Sequence, residues 1–170
     1  DLAGFGYSQV PDDWEFSTQT WLQQIVDLLD ELGLEKVSVV GNSFGGSMAL
    51  ALAIAHPERV DRIVLMGSVG VPFEITEGLD AVWGYEPSVE TMGHLIRDVF
   101  AYDPSFVSDD LVQLRYEASV RPGAQESFAA MFPAPRQRWV DAMAHDEKDI
   151  RALKQKTLLI HGRDDKVIPL

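Results

Sequence analysis

The chain has 170 residues, of which 46% are hydrophobic and 24% charged, a balance that suits a soluble globular domain with a buried core. Its formal charge of −13, from 27 acidic against 14 basic residues, argues against nucleic acid or an anionic membrane as a partner. There is no cysteine, which excludes disulfides, Cys-based metal sites and a Cys nucleophile. No stretch reaches the roughly 18–20 consecutive apolar residues of a membrane span, and no basic leader precedes an apolar run. The expectation is a cytoplasmic protein. An anionic ligand would have to find a local cation against this overall field.

In chain order, Asp1 to Val10 reads as the end of a strand running into a Gly-rich turn. Thr18 to Leu32 carries Trp21, Leu22, Ile25, Val26, Leu28, Leu29 and Leu32 at helical spacing, with Ser17 or Thr18 to cap it and Gly33 to end it. Lys36–Val40 is a short β-branched run, expected as a strand buried on both faces. Phe44–Ala55 is an apolar, Ala-rich helix that stops before Pro57, and Arg62–Met66 is a second buried strand. From Val71 to about Lys156 the pattern turns helical, with amphipathic segments at Ser88–Ala101, Ser108–Val120, Ala124–Met131 and Arg136–Ala144. Thr157–Ile160 then restores a strand. The layout is a mainly parallel α/β sheet flanked by helices, with core residues 1–70, a helical lid over 71–156 and the core resumed at 157–170.

Gly41-Asn42-Ser43-Phe44-Gly45 fits the G-x-S-x-G pattern and falls between a predicted strand and a predicted helix. A turn this tight forces unusual dihedrals on Ser43, and glycine on either side leaves room for the neighbouring backbone. It lifts the hydroxyl above the sheet edge and aims the Phe44 N–H at the same space, half of an oxyanion hole. A nucleophilic hydroxyl needs a base, and the base needs an orienting acid, in the chain order Ser, acid, His. Asp164 and Asp165, after the last strand, both offer that acid, and spacing does not separate them. The four histidines are His56, His94, His145 and His161, and none follows the acid. The base is therefore expected outside this sequence, which reads as partial: the first strands and the second oxyanion N–H at one end, the His-bearing segment at the other.

Several longer motifs carry a resemblance: D-L-A-G-F-G-Y-S at the start, V-G-N-S-F-G-G at the turn and L-M-G-S-V-G-V after the next strand. R-P-G-A-Q-E-S-F-A-A-M-F-P-A-P-R-Q-R-W-V lies in the lid and H-G-R-D-D-K-V-I-P near the end. Together they resemble the meta-cleavage product hydrolases, the carbon–carbon bond hydrolases of bacterial aromatic degradation, built on the α/β-hydrolase fold. The resemblance implies Ser43 as nucleophile, Asp165 rather than Asp164 as the triad acid, and Phe44 as an oxyanion N–H donor. It implies Asn42 and Arg115 at the oxygenated end of the substrate, and Phe100 and Trp139 as apolar pocket residues. The implied reaction uses no cofactor and no metal. It cleaves 2-hydroxy-6-oxohexa-2,4-dienoates, such as 2-hydroxymuconic semialdehyde, to 2-hydroxypenta-2,4-dienoate and a short acid, formate in that case. A small-molecule dienoate is the implied partner, and a homo-oligomer the implied assembly. A carboxylesterase or lactonase, a non-catalytic binding protein on the same scaffold, and an inactive fragment are the competing readings.

Overall fold

The computed structural model describes all 170 residues. Helix α1 (Thr18–Glu31) starts at Ser17, whose side chain accepts from the Thr20 N–H while the Thr20 hydroxyl returns a contact to the Ser17 N–H. It ends at Leu32, followed by Gly33 at φ 64°, the left-handed residue that closes many helices. Strand β1 (Val37–Asn42) leads directly into α2 (Phe44–Ala55) through Ser43. A single 3₁₀ turn at Pro57–Arg59 joins α2 to β2 (Val60–Met66).

Six helices separate β2 from the last strand. They are α3 (Glu77–Trp83), α4 (Val89–His94), α5 (Asp109–Ser119), α6 (Ala124–Met131), α7 (Gln137–Met143) and α8 (Glu147–Ala152). Strand β3 (Lys156–Ile160) follows. The strands form a parallel sheet in the order β1-β2-β3, with Asn42, Met66 and Ile160 aligned in one row at its C-terminal edge. Segment Ser88–Ala101 is not one regular helix. The chain widens into a π-turn at Leu95–Phe100, where the Ala101 N–H reaches back to Ile96 O at 3.0 Å.

Two apolar clusters hold these layers together. One, built from Val26, Leu29, Leu50, Leu52, Val60 and Ile63 among others, seals α1 and α2 onto one face of the sheet. The second, around Trp21, Met48, Trp83, Met131, Phe132 and Val140, joins the helical insertion to α2. Every residue from Gly46 to Ala53 is buried, as expected of a helix apolar all round. The two ends of the insertion meet beside α2. The buried Ser47 hydroxyl donates to Met143 O at 2.7 Å, His145 Nε2 lies 2.9 Å from Ser47 O, and the His145 N–H donates to Gly70 O at 2.9 Å.

Three expectations change. Asp1–Val10 forms successive turns rather than a strand end, with the Phe5 N–H bonded to Leu2 O and the Ser8 N–H to Phe5 O. Helices α3 and α8 lie in the helical stretch but outside the four segments singled out in it: they are only seven and six residues long, and α3 contains Gly78, a weak signal for any periodicity argument. Within these 170 residues the strands are covered on one face only. Helices α1 and α2 cover one face of β1 and β2 only, and β3 lies beyond them, so Val40, Leu158, Leu159 and Ile160 are 68%, 55%, 68% and 49% exposed. A β-branched run has the same composition with one covered face or two, because cover is supplied by other elements.

That face has a consequence for the 170 residues prepared alone. An exposed apolar sheet with unpaired edges is an association surface. The isolated chain is expected to form oligomers or aggregates in light scattering and to bind an apolar fluorescent dye. A monodisperse monomer with a single sharp thermal transition would refute this.

Candidate active site

The site begins at the β1–α2 junction. Ser43 is the one non-glycine residue with positive φ, at φ 51° and ψ −120°, a conformation that costs an L-residue of order 1–3 kcal/mol. It is held there from three sides. The Ser43 N–H donates to Met66 O at 3.0 Å, and Ser43 O accepts from the Gly46 N–H at 2.9 Å and the Val69 N–H at 3.2 Å. The turn needs the first flanking glycine absolutely: a Cβ on Gly41 would stand 2.3 Å from Gly45 O. Gly45 itself has nothing within 4 Å of such an atom, and the second crowded glycine is Gly46, where a Cβ would meet the Ser68 hydroxyl at 2.1 Å. The room expected on both sides of Ser43 is thus required at Gly41 and Gly46, not at Gly45. Gly41→Ala in the full-length protein is expected to cost about 3 kcal/mol through backbone displacement. A thermal melt should drop by roughly 6–12 °C; an unchanged melt would show that the turn relaxes freely.

Phe44 opens α2, so its N–H has no acceptor within the helix and points out of its N-terminus. Its ring is fixed elsewhere, stacked on Phe5 at 5.3 Å and edge-on to Trp21 at 4.7 Å. The Asn42 amide donates to Met66 O at 3.0 Å, which leaves its carbonyl oxygen free to accept. Asn42, Ser43 and Phe44 together line a cavity of about 400 Å³ whose other walls include Trp83, Phe128 and Phe132. A larger cavity of about 1140 Å³ adjoins it, with Phe5, Val82 and Phe128 common to both linings. Arg115 and Phe100 line the larger one. Arg115 is exposed on α5, which buries only Val112 fully, whereas the apolar pattern of the helix had pointed to partial burial. The π-turn brings Leu95, Ile96 and Phe100 to the same wall, a local geometry the sequence pattern did not reveal.

Asp165 is separated from Asp164 by its surroundings. Asp164 is exposed, whereas Asp165 is half-buried and its Oδ1 accepts from the Val167 and Ile168 N–H groups at 2.8 and 2.9 Å. Its other oxygen, Oδ2, approaches to 3.2 Å of where a Gly67 Cβ would be, at the C-terminal edge of the sheet. Ser43 follows β1 and Asp165 lies in the loop beyond β3, so both stand at the C-terminal edge of the three-stranded sheet. The Asp165 loop is tied to the insertion by the Thr76 hydroxyl, which donates to Val167 O at 2.7 Å and accepts from the Leu79 N–H. Gly78 permits this approach, since a Cβ there would meet Lys166 O at 2.3 Å. Sequence reasoning missed Thr76, although an N-capping Thr followed by Glu77 is a recognisable helix start.

The histidines sit elsewhere. His56 ends α2, and His94 pairs with Asp98 at 2.8 Å on the surface. His145 is committed to Ser47, and His161 Nε2 to Ile168 O at 2.9 Å, with Asp165 Oδ2 at 3.7 Å. None of the four lines either cavity. Trp139 also lines neither: its indole N–H donates to Pro133 O at 2.8 Å and its ring packs edge-on against Phe132, so it stands behind that wall of the smaller cavity.

The model of the alpha/beta hydrolase fold family matches residues 1–170 without remainder. The chain belongs to that family. Among its relatives, it is 61% identical over 170 residues to a 2-hydroxymuconate semialdehyde hydrolase of Pseudomonas sp. (strain CF600), covering all of this chain and 60% of that protein. It is 58% identical to a 2-hydroxy-6-oxo-2,4-heptadienoate hydrolase of Pseudomonas putida F1, covering all of this chain and 61% of that one. The solved structure of the meta-cleavage product hydrolase of Pseudomonas fluorescens IP01 (CumD), in complex with acetates, superposes with a TM-score of 0.98 at 54% identity, over 100% of this chain and 62% of that one. The resemblance to the meta-cleavage product hydrolases thus holds in sequence and in fold, and the chain spans about three fifths of the length of the relatives it matches. No helix of the chain is long and apolar enough to cross a membrane.

Proposed function

We propose that the protein of which this chain forms part hydrolyses a carbon–carbon bond in 2-hydroxy-6-oxohexa-2,4-dienoates, with 2-hydroxymuconic semialdehyde as substrate. The observation that carries the reading is the pairing of two adjoining cavities, one lined by the strained Ser43 and the next by the cation Arg115. A dienoate has the same bipolar chemistry: a carboxylate at one end and an electrophilic carbonyl at the other. Arg115 binds the carboxylate through its planar fork, and the free carbonyl oxygen of Asn42 accepts from the 2-hydroxyl. After ketonisation Ser43 attacks the 6-oxo carbon, and the outward N–H of Phe44 stabilises the oxyanion.

Asp165 orients the general base with its Oδ2, since its Oδ1 is already held by two backbone N–H groups. Ser43 and Asp165 both stand at the C-terminal edge of the sheet, and in the triad an imidazole bridges the two. That imidazole comes from outside these 170 residues. Cleavage releases 2-hydroxypenta-2,4-dienoate and leaves an acyl group on Ser43, which water removes as formate. Residues 71–156 act as the lid that shields this chemistry from solvent, with Phe100 on its apolar wall. The protein works in the cytoplasm without a cofactor, as a homo-oligomer.

The test is direct. The full-length protein is mixed with 2-hydroxymuconic semialdehyde, and the decay of the visible dienoate absorbance is followed beside hydrolysis of an aryl ester. Rapid bleaching with slow ester cleavage supports the reading. An untouched dienoate with rapid ester cleavage would replace it by a carboxylesterase on the same scaffold.

A further inference from the structure

The larger cavity has 24 lining residues, and they include two arginines, Arg115 and Arg121, but no Asp or Glu. The chain as a whole has 27 acidic residues and a formal charge of −13. Carboxylates are therefore absent from this lining, which leaves a positive hollow in a negative molecule. A hollow of that kind draws in small anions against the field of the rest of the protein. Arg115 is used in the function proposed above. Arg121 is not, and its position differs.

Arg121 sits in the turn between α5 and α6, half-buried. Its Nε donates to Ala118 O at 3.0 Å, at the C-terminal end of α5. Its Nη2 reaches Gly6 O at 3.3 Å, and the guanidinium carbon lies 3.9 Å above the Tyr7 ring. Tyr7 is 86% exposed, so this contact stands where the cavity opens to solvent. The partners of Arg121 across the mouth are thus a neutral carbonyl at the long end of hydrogen-bond range and a neutral aromatic face. Either is weaker than a carboxylate, which a guanidinium binds with two charge-assisted bonds.

We propose that Arg121 captures the carboxylate of the incoming substrate at the cavity mouth and hands it on to Arg115. The proposal rests on the dienoate reading of the site. In the free protein Arg121 rests on Tyr7 and Gly6 and bridges the insertion to the 1–10 segment. An arriving carboxylate displaces both contacts, opens the mouth and moves inward, and the bridge then re-forms behind it. Arg121 is a positioning residue, distant from the bond that breaks, so its effect falls on entry rather than on chemistry.

The test uses the full-length protein as wild type, Arg121→Gln, Arg121→Lys and Tyr7→Leu, with kcat and kcat/KM for the dienoate measured from low to high ionic strength. Arg121→Gln is expected to lower kcat/KM about tenfold at low salt and to flatten its salt dependence, with kcat within about twofold of wild type. Arg121→Lys should recover most of the loss, and Tyr7→Leu, which keeps the charge, should keep the salt dependence. An Arg121→Gln variant with unchanged kcat/KM and salt slope overturns the proposal. So does one in which kcat and thermal stability fall together, the behaviour of a structural clasp. A wild type that does not consume the dienoate overturns the dienoate reading and the capture role with it. An active wild type with an unaffected variant overturns the capture role alone.

Discussion

Ser43→Ala in the full-length protein is expected to abolish dienoate turnover, with kcat lower by about 10³-fold or more. The hydroxyl is the only group on the strained turn able to form a covalent bond to the substrate. The Phe44 N–H and the Arg115 guanidinium, the proposed oxyanion and carboxylate contacts, survive the change, so residual activity reports their contribution alone. The fold should survive too. Alanine keeps the Cβ that serine already carries at φ 51°, so no new strain enters, and the hydrogen bonds that hold the turn involve the Ser43 backbone. A variant that melts like wild type, binds the yellow dienoate and leaves it uncleaved is the expected result. Retention of more than about a tenth of wild-type kcat would remove Ser43 from the nucleophile role.

Arg115→Gln is expected to lower kcat/KM for the dienoate about 10²-fold, the scale of a lost charge-assisted, two-pronged contact. Hydrolysis of a neutral aryl ester, which has no carboxylate to hold, should stay near wild type. Stability should also stay near wild type, because Arg115 is exposed on α5 and the helix is anchored by Val112. Equal losses on both substrates would mean that Arg115 shapes the cavity rather than reading the carboxylate. The charge-conserving Arg115→Lys separates charge from geometry: an ammonium keeps the attraction and loses the planar fork.

Much of the fold was legible in the chain. Helix α2 was predicted at its observed limits because an Ala-rich run bounded by a glycine turn and Pro57 has one conformational solution. Helix α1 carried both of its end signals, Ser17 and Gly33, in the sequence. The G-x-S-x-G turn was readable for a related reason: a strand cannot reverse into a helix over one residue without glycine where backbones nearly touch, and Gly41 is such a place. Local sterics leave a trace in local sequence.

The remainder depends on what meets what. Asp164 and Asp165 are equivalent in a string of letters, and they part only when the Val167 and Ile168 N–H groups close on one of them. Trp139 has the composition of a pocket wall, yet its indole is spent on Pro133 and Phe132 within the insertion. Arg121 is one arginine among several until the turn after α5 brings it over Tyr7, more than a hundred residues away in sequence. By itself, then, the sequence determined the strand–turn–helix that strains Ser43, the helical character of the insertion and the acidity of the whole chain. Tertiary structure decided which carboxylate is held in place, which face of the sheet is covered and which arginines share an acid-free cavity. The division follows from range: dihedral preference and periodicity act within a few residues, whereas burial and charge pairing are set by neighbours that only the folded chain supplies.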